Sequence, residues 1–298
     1  MTDKQLTNKK ISNLSQNHLK KPSWLKVKAF SGQGYNHVNS LLKKYGLNTV
    51  CHDANCPNRG ECFNRGTATF LILGPTCSRN CSFCDINSGL PDPVNFEEPE
   101  NVAKAARDLK LKHVVVTSVT RDDLPDGGAT QFADTIRCIR KYLPNSTIEV
   151  LTPDFKHTPK SVDLIIDAHP DVFNHNVETV ENLYSKVRPQ ADYFGSLKLL
   201  KYVSEKSNII TKSGLMVGVG ETLEQLKKTF KDLADNNVKI LTIGQYLAPS
   251  KNHLPVSKYY TPEEFDLLKM HAQAVKIRHV FSAPLVRSSY KADMVINP

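Results

Sequence analysis

Six of the seven cysteines in this 298-residue chain fall between Cys51 and Cys84, in two groups of three. Thiolates are soft donors that suit iron–sulfur clusters or zinc, so each group reads as a metal site. The second group is Cys77-x3-Cys81-x2-Cys84. A cubane cluster held by four cysteines has no vacant iron, whereas three cysteines leave one iron open for a substrate to chelate. Zinc is the competing occupant, but zinc sites usually pair two C-x2-C units for four ligands, and only Cys81 and Cys84 have that spacing. The first group, Cys51-x4-Cys56-x5-Cys62, matches neither the ferredoxin patterns nor a zinc ribbon. Its fourth ligand comes from elsewhere, or an iron stays open. Cys138 lies alone in a helical pattern and reads as a structural thiol. His52, beside Cys51, reads as a neighbour of the site or a solvated side chain rather than a ligand.

The elements that must carry these residues alternate. Apolar, β-branched runs at 69–73, 113–119, 147–151, 172–177, 209–219 and 239–247 are separated by helical patterns at 101–111, 130–142, 159–167, 180–186 with 196–205, and 222–236. A further helix at 262–276 precedes a last apolar run at 279–286. This is the signature of βαβ units and a parallel sheet, either doubly wound or curled into a partial barrel. Ligands in such sheets bind beyond the C-terminal strand ends, and the second cysteine group sits on the first such loop. The first group precedes the first strand, in an N-terminal extension. Just past the last run stands Arg287-Ser288-Ser289-Tyr290, which in isolation reads as a polar turn.

Composition is that of a globular α/β protein, with 40% hydrophobic and 23% charged residues. No stretch of 18 or more apolar residues occurs, so no membrane span is expected. The polar, lysine-rich segment 1–25 lacks the apolar core of a secretory signal and reads as a flexible basic arm on a cytoplasmic protein. An odd cysteine count in that setting argues against a disulfide framework. The formal net charge of +9 suits either a solvated surface or an acidic partner. The lysines are scattered and no nucleic-acid-binding motif is present, so an acidic protein fits at least as well as a nucleic acid, which is not expected as a partner.

The spacing of Cys77, Cys81 and Cys84, with Phe83 before the last cysteine, resembles the radical S-adenosylmethionine (SAM) superfamily. In that superfamily the open iron binds the amino and carboxylate groups of SAM, and the reduced cluster splits it to methionine and a 5′-deoxyadenosyl radical. Both triads together with Arg287-Ser288-Ser289-Tyr290 resemble, within that superfamily, the lipoyl synthase family. The resemblance runs over roughly residues 22–298. It includes Thr117-Ser118-Val119, Arg121 to Gly128, Phe173 to Thr179, Lys212 to Thr222, Gln245-Tyr246-Leu247 and His253-Leu254-Pro255-Val256. Gly195 is a possible departure, where a bulkier residue is expected.

The resemblance implies a partial (β/α)6 barrel over 67–280, an N-terminal extension over 26–66, and a C-terminal tail over 281–298. Extension and tail would hold an auxiliary cluster on Cys51, Cys56, Cys62 and Ser289, with Arg287 beside it. The implied cofactors are two [4Fe–4S] clusters and SAM. The implied reaction inserts two sulfur atoms at carbons 6 and 8 of an octanoyl chain on a carrier lysine, consuming two SAM molecules and the auxiliary cluster. Partners would be the octanoylated carrier domains (E2 subunits of 2-oxoacid dehydrogenases and the glycine cleavage H protein), an electron donor such as flavodoxin or ferredoxin, and an iron–sulfur carrier for repair. Phe83 is expected beside the adenine, and Thr117, Asn176 and Glu178 as SAM contacts. Glu178 reads equally as a helix N-terminal charge. Gly214, Gly218 and Gly220 permit close approach to a cofactor or a tight turn, and Arg121, Asp122 and Asp123 read as site residues or loop ion pairs. Two rivals remain: a radical methylthiotransferase acting on tRNA or protein, though no added RNA-binding domain is seen, and a two-cluster electron carrier, which wants four cysteines per cluster.

Overall fold

The computed structural model describes residues 19–27, 32–290 and 292. Most of the expected basic arm and the end of the tail therefore lie outside the described residues. One sheet organises the chain. Its strands are β1 Asn48–Thr49, β2 Thr69–Ile72, β3 His113–Ser118, β4 Thr147–Leu151, β5 Val172–Asn174, β6 Ile210–Val217, β7 Ile240–Gln245 and β8 His279–Ser282. They lie side by side in that order. Every pairing from β2 to β8 is parallel, and only the short β1 runs antiparallel. A doubly wound sheet reverses its strand order at a switch point. This one never does, so the units wind in one direction into an open barrel. The last apolar run adds a seventh parallel strand, His279–Ser282.

The helices are α1 Gln33–Lys44, α2 Val50–Asp53, α3 Arg59–Asn64, α4 Glu98–Asp108, α5 Ala129–Tyr142, α6 Pro159–Asp167, α7 Tyr184–Val187, α8 Tyr193–Lys206, α9 Leu223–Asp235 and α10 Pro262–Ala274. Helices α4 to α6 and α8 to α10 connect successive strands. Thr222 with Gln225 and Thr261 with Glu264 form capping boxes that satisfy the first amides of α9 and α10. Among the described residues no helix is long and apolar enough to cross a membrane.

The pleat gives the sheet two different faces. Outward residues such as Val114, Val116, Ile148, Val150 and Phe173 join the main hydrophobic core with the helices. The inner face is polar. Lys212 Nζ reaches across β5 to both oxygens of Glu149 (2.8 and 2.9 Å), and Asn174 Nδ2 donates to Glu149 at 3.1 Å. His113 stands 3.6 Å from the same carboxylate. Burial opposes ionisation of Glu149, but Lys212 and His113 hold its carboxyl down at about 2. Such a network specifies one arrangement of four strands, at a desolvation cost that only complete pairing offsets.

The segment before β2 meets the segment after β8. Asn58 Nδ2 donates to Leu285 O at 2.7 Å, and the Tyr290 hydroxyl donates to the Glu61 carboxylate at 3.0 and 3.1 Å.

Candidate active site

The loop from Cys77 to Cys84 leaves the barrel directly after β2 and is tied down from four directions. Thr76–Cys77 pairs with Asn87–Ser88 in a two-residue ribbon. The Cys77 sulfur accepts the backbone N–H groups of Arg79 and Thr120 at 3.4 and 3.3 Å. Ser82 donates from its amide to Val187 O and from its hydroxyl to Lys186 O, at 3.2 and 2.7 Å. Leu254 N donates to Ser82 O, and His253 Nε2 lies 3.0 Å from Cys84 O. Burial pushes the Cys81 thiol up, and the Cys84 thiol up to about 12. Iron binding at this loop therefore releases protons. Phe83 packs with Val187, Val219, Tyr246 and Leu254 in a small apolar cluster apart from the main core, a surface suited to a flat aromatic ring.

The segment after β5 supplies polar groups, and Glu178 and Arg188 act electrostatically on Cys81. Asn176 Nδ2 donates to Glu178 Oε1 at 2.9 Å. Glu178 is not at a helix N-terminus. It occupies the left-handed region (φ 63°), a conformation that costs a non-glycine residue about 1–3 kcal/mol and persists where surroundings enforce it. Burial lifts its carboxyl pKa, against the charges of Arg188 and Arg287. Arg188 escaped the sequence reading, because a lone arginine before a proline carries no motif. It donates to Asn176 O and the Tyr184 hydroxyl at 2.9 and 3.0 Å, and its charge is felt at Cys81.

Among the described residues, the buried Asn176 Oδ1, Arg188 Nε and Ser118 Oγ have no hydrogen-bond partner. Orphaned buried polar atoms fit a polar ligand such as SAM, because leaving them unmet costs about 1–3 kcal/mol each. Thr117 differs: its hydroxyl already donates to Leu151 O at 2.9 Å. A Cβ on Gly214 would stand 2.8 Å from Asn176 Oδ1 and 2.6 Å from Thr242 Oγ1, so glycine keeps room for that side chain. Gly218 and Gly220 belong to a turn closed on Glu221, whose carboxylate accepts the amides of Gly218, Val219 and Gly220. Arg121 pairs with Asp123, and Asp122 pairs with Arg79.

Of the other triad, Cys51 lies on α2, Cys62 on α3 and Cys56 in the turn between them. Cys51 and Cys62 line one cavity of about 50 Å³ together with Ser289, Arg65, Thr69 and His113. The tail's serine thus stands with thiols more than 200 residues away in sequence. Burial, then neighbouring thiols, raise Cys56 and push Cys62 up to about 12. Arg287 is buried, and it feels the charges of both Cys56 and Glu178. Asn55, in the first cysteine loop, donates to Asp85, next to Cys84. His52 is engaged at both nitrogens, by Arg59 and Asn39, which leaves it no free position for metal. Cys138 lies away from both groups, half-buried at the edge of the main core on α5. Gly195 is explained by packing: a Cβ there would fall 2.2 Å from His157 Cε1.

All seven cysteines are free. Among the described residues no three His, Cys, Asp or Glu side chains converge on a point as a single ion requires. A cubane takes its thiolates at separate iron corners, so its donors stand apart.

A three-thiol loop on the first strand end of an open parallel barrel defines a radical SAM enzyme, and the radical SAM superfamily model matches residues 71–233. The crystal structure of methylornithine synthase shares the fold, with a TM-score of 0.52 over 87% of each chain at 14% identity. The chain belongs to the lipoyl synthase family. It is 54% identical over 277 residues to the lipoyl synthase of Caldanaerobacter subterraneus subsp. tengcongensis, covering 93% of this chain and 97% of that one. It is 51% identical to that of Rubrobacter xylanophilus, covering 91% and 85%.

Proposed function

We propose that this enzyme inserts sulfur at carbons 6 and 8 of an octanoyl chain amide-linked to a lysine of a lipoyl carrier domain. Family membership supports the reaction, and the residue-level reading is carried by the single cavity shared by Cys51, Cys62 and Ser289. Cys77, Cys81 and Cys84 would hold a [4Fe–4S] cluster, which when bound would supply the electron for SAM cleavage. Phe83 packs against the adenine. Arg188 offers its unpartnered Nε to the SAM carboxylate, and Glu178 accepts a hydrogen bond from SAM while Asn176 holds its other side. Two SAM molecules serve one product, because one hydrogen leaves each carbon.

The sulfur source is a second [4Fe–4S] cluster, a substrate held by Cys51, Cys56, Cys62 and Ser289. A serine oxygen is harder than a thiolate and suits a corner that must be lost. Arg287 offsets negative charge between the two groups. The contacts of Asn58 and Tyr290 hold the tail over the barrel mouth, which keeps water from a reactive radical. Carrier domains are the E2 subunits and the H protein, attracted by the net charge of +9. The reductant is of the flavodoxin or ferredoxin kind, an iron–sulfur carrier restores the consumed cluster, and the setting is the cytoplasm.

The test is a serine pair. Ser289→Ala should retain SAM cleavage and yield little or no lipoyl product, whereas Ser288→Ala should be much milder. Equal product from Ser289→Ala and the unaltered enzyme would remove Ser289 from the ligand set.

A further inference from the structure

Arg79 lies inside the thiol loop, two residues from Cys77 and Cys81, and nothing in the reaction above uses it. Its side chain is 8% exposed. Nε and Nη2 donate to Asp122 at 2.6 and 3.0 Å, while Nη1 and Nη2 donate to Asp154 at 2.7 and 2.8 Å. Asp122 belongs to the loop after β3 and Asp154 to the loop after β4. One planar guanidinium therefore locks the thiol loop to the next two strand ends, with the fork geometry that only arginine offers.

The turn presenting Asp154 is costly. Phe155, Lys156 and His157 follow one another with φ of 47°, 51° and 57°, a left-handed run of three side-chain-bearing residues of the kind that persists only where the surroundings over-determine it. Phe155 is buried under Gly127, and Lys156 Nζ donates to Asp122 O, so the turn also grips the other carboxylate's loop. The guanidinium thus satisfies two carboxylates at once, with four donor contacts. A contact serving stability alone is served as well or better by apolar side chains.

We infer that Arg79 is a positioning residue for SAM cleavage: clamped by Asp122 and Asp154, it fixes the Cys77–Cys84 loop so that the thiols keep one arrangement as SAM binds. This rests on reading Cys77, Cys81 and Cys84 as the SAM-cleaving site. It adds that the loops after β3 and β4 set the geometry of that site without touching SAM.

The experiment compares anaerobically reconstituted wild type, Arg79→Lys, Asp122→Asn and Cys81→Ala. Five quantities are read: iron content, Tm, kcat and KM for SAM per bound cluster, and the change in the reduced cluster's paramagnetic resonance signal on adding SAM. Arg79→Lys keeps the charge and loses the fork. It should load iron and melt within a few degrees of wild type, yet cleave SAM at least about tenfold more slowly per cluster, as small misplacements do, with an altered spectral response to SAM. Asp122→Asn removes only the more exposed arm, should show the same spectral change with a smaller rate loss, and decides the matter if Arg79→Lys does not fold. Wild-type turnover per cluster with an unchanged spectral response would overturn the inference. So would losses that track iron content and Tm alone. Cleavage by Cys81→Ala would instead refute the underlying site, whatever Arg79→Lys does.

Discussion

Replacing Gly244 by alanine adds one methyl group where the C-terminal tail crosses β7. A Cβ at this position would stand 2.1 Å from the Val286 carbonyl oxygen, 3.1 Å from its carbon and 3.2 Å from Arg287 Nη1. Non-bonded carbon contacts are optimal near 3.5–4.0 Å, so the tail backbone must retreat by about 1 Å. It cannot do so freely, because Ala283 N donates to Ile243 O and Gln245 N to Pro284 O, both at 3.2 Å. Overpacking of this kind costs about 1–3 kcal/mol and lowers Tm by a few degrees. The displaced segment leads into Ser289, whereas the Cys77–Cys84 loop is anchored elsewhere. Gly244→Ala should therefore keep 5′-deoxyadenosine formation within about twofold while lipoyl product falls by about tenfold or more, given the sensitivity of reactions to 1 Å errors. Chromatography of 5′-deoxyadenosine and mass spectrometry of a carrier peptide, on one anaerobic sample, read both. Normal product yield would refute the claim that this crossing seats the tail. Parallel loss of both activities would show that the damage is general.

Two predictions concern stability. His175 is buried between Thr152 O and Ser196 Oγ, and burial, then the charge of Arg188, lower its pKa from 6.5 to about 4. The unfolded chain binds this proton at a higher pH than the folded one, so stability is lost as pH falls from 6.5 towards 4, by up to about 3 kcal/mol. Urea midpoints measured across that range should drop less steeply in His175→Gln, and equal slopes would contradict the assignment. Lys212→Met leaves the Glu149 carboxylate without its main partner and should cost about 3–5 kcal/mol in urea unfolding. Adding Glu149→Gln should recover part of that loss, and full additivity of the two changes would argue against the pair.

The fold was legible because six apolar runs and the helical patterns between them carry their own periods, and because the first cysteine loop after a strand marks the mouth. Open barrel and doubly wound sheet share those periods and differ only in strand order, which sequence spacing does not encode. The cysteines announced themselves by type and spacing. Ser289 was legible only through the Arg-Ser-Ser-Tyr resemblance, since nothing local separates it from Ser288. Arg79, Arg188 and Gly244 act through partners far along the chain, and a side chain's fork or missing Cβ has no meaning until those partners are placed. Thr117 stands near the end of its strand, and its hydroxyl donates to Leu151 O of the neighbouring strand.

The central claim is that the two cysteine groups divide the labour, one generating the radical and the other holding the sulfur to be inserted. Anaerobic mass spectrometry of an octanoylated carrier peptide, incubated with SAM, reductant and reconstituted enzyme, tests it most directly. The wild type should give product carrying two added sulfur atoms. Cys56→Ala should form 5′-deoxyadenosine and leave the peptide free of sulfur, and Cys81→Ala should form neither. A sulfur-bearing peptide from Cys56→Ala, or 5′-deoxyadenosine from Cys81→Ala at the wild-type rate, would contradict the account.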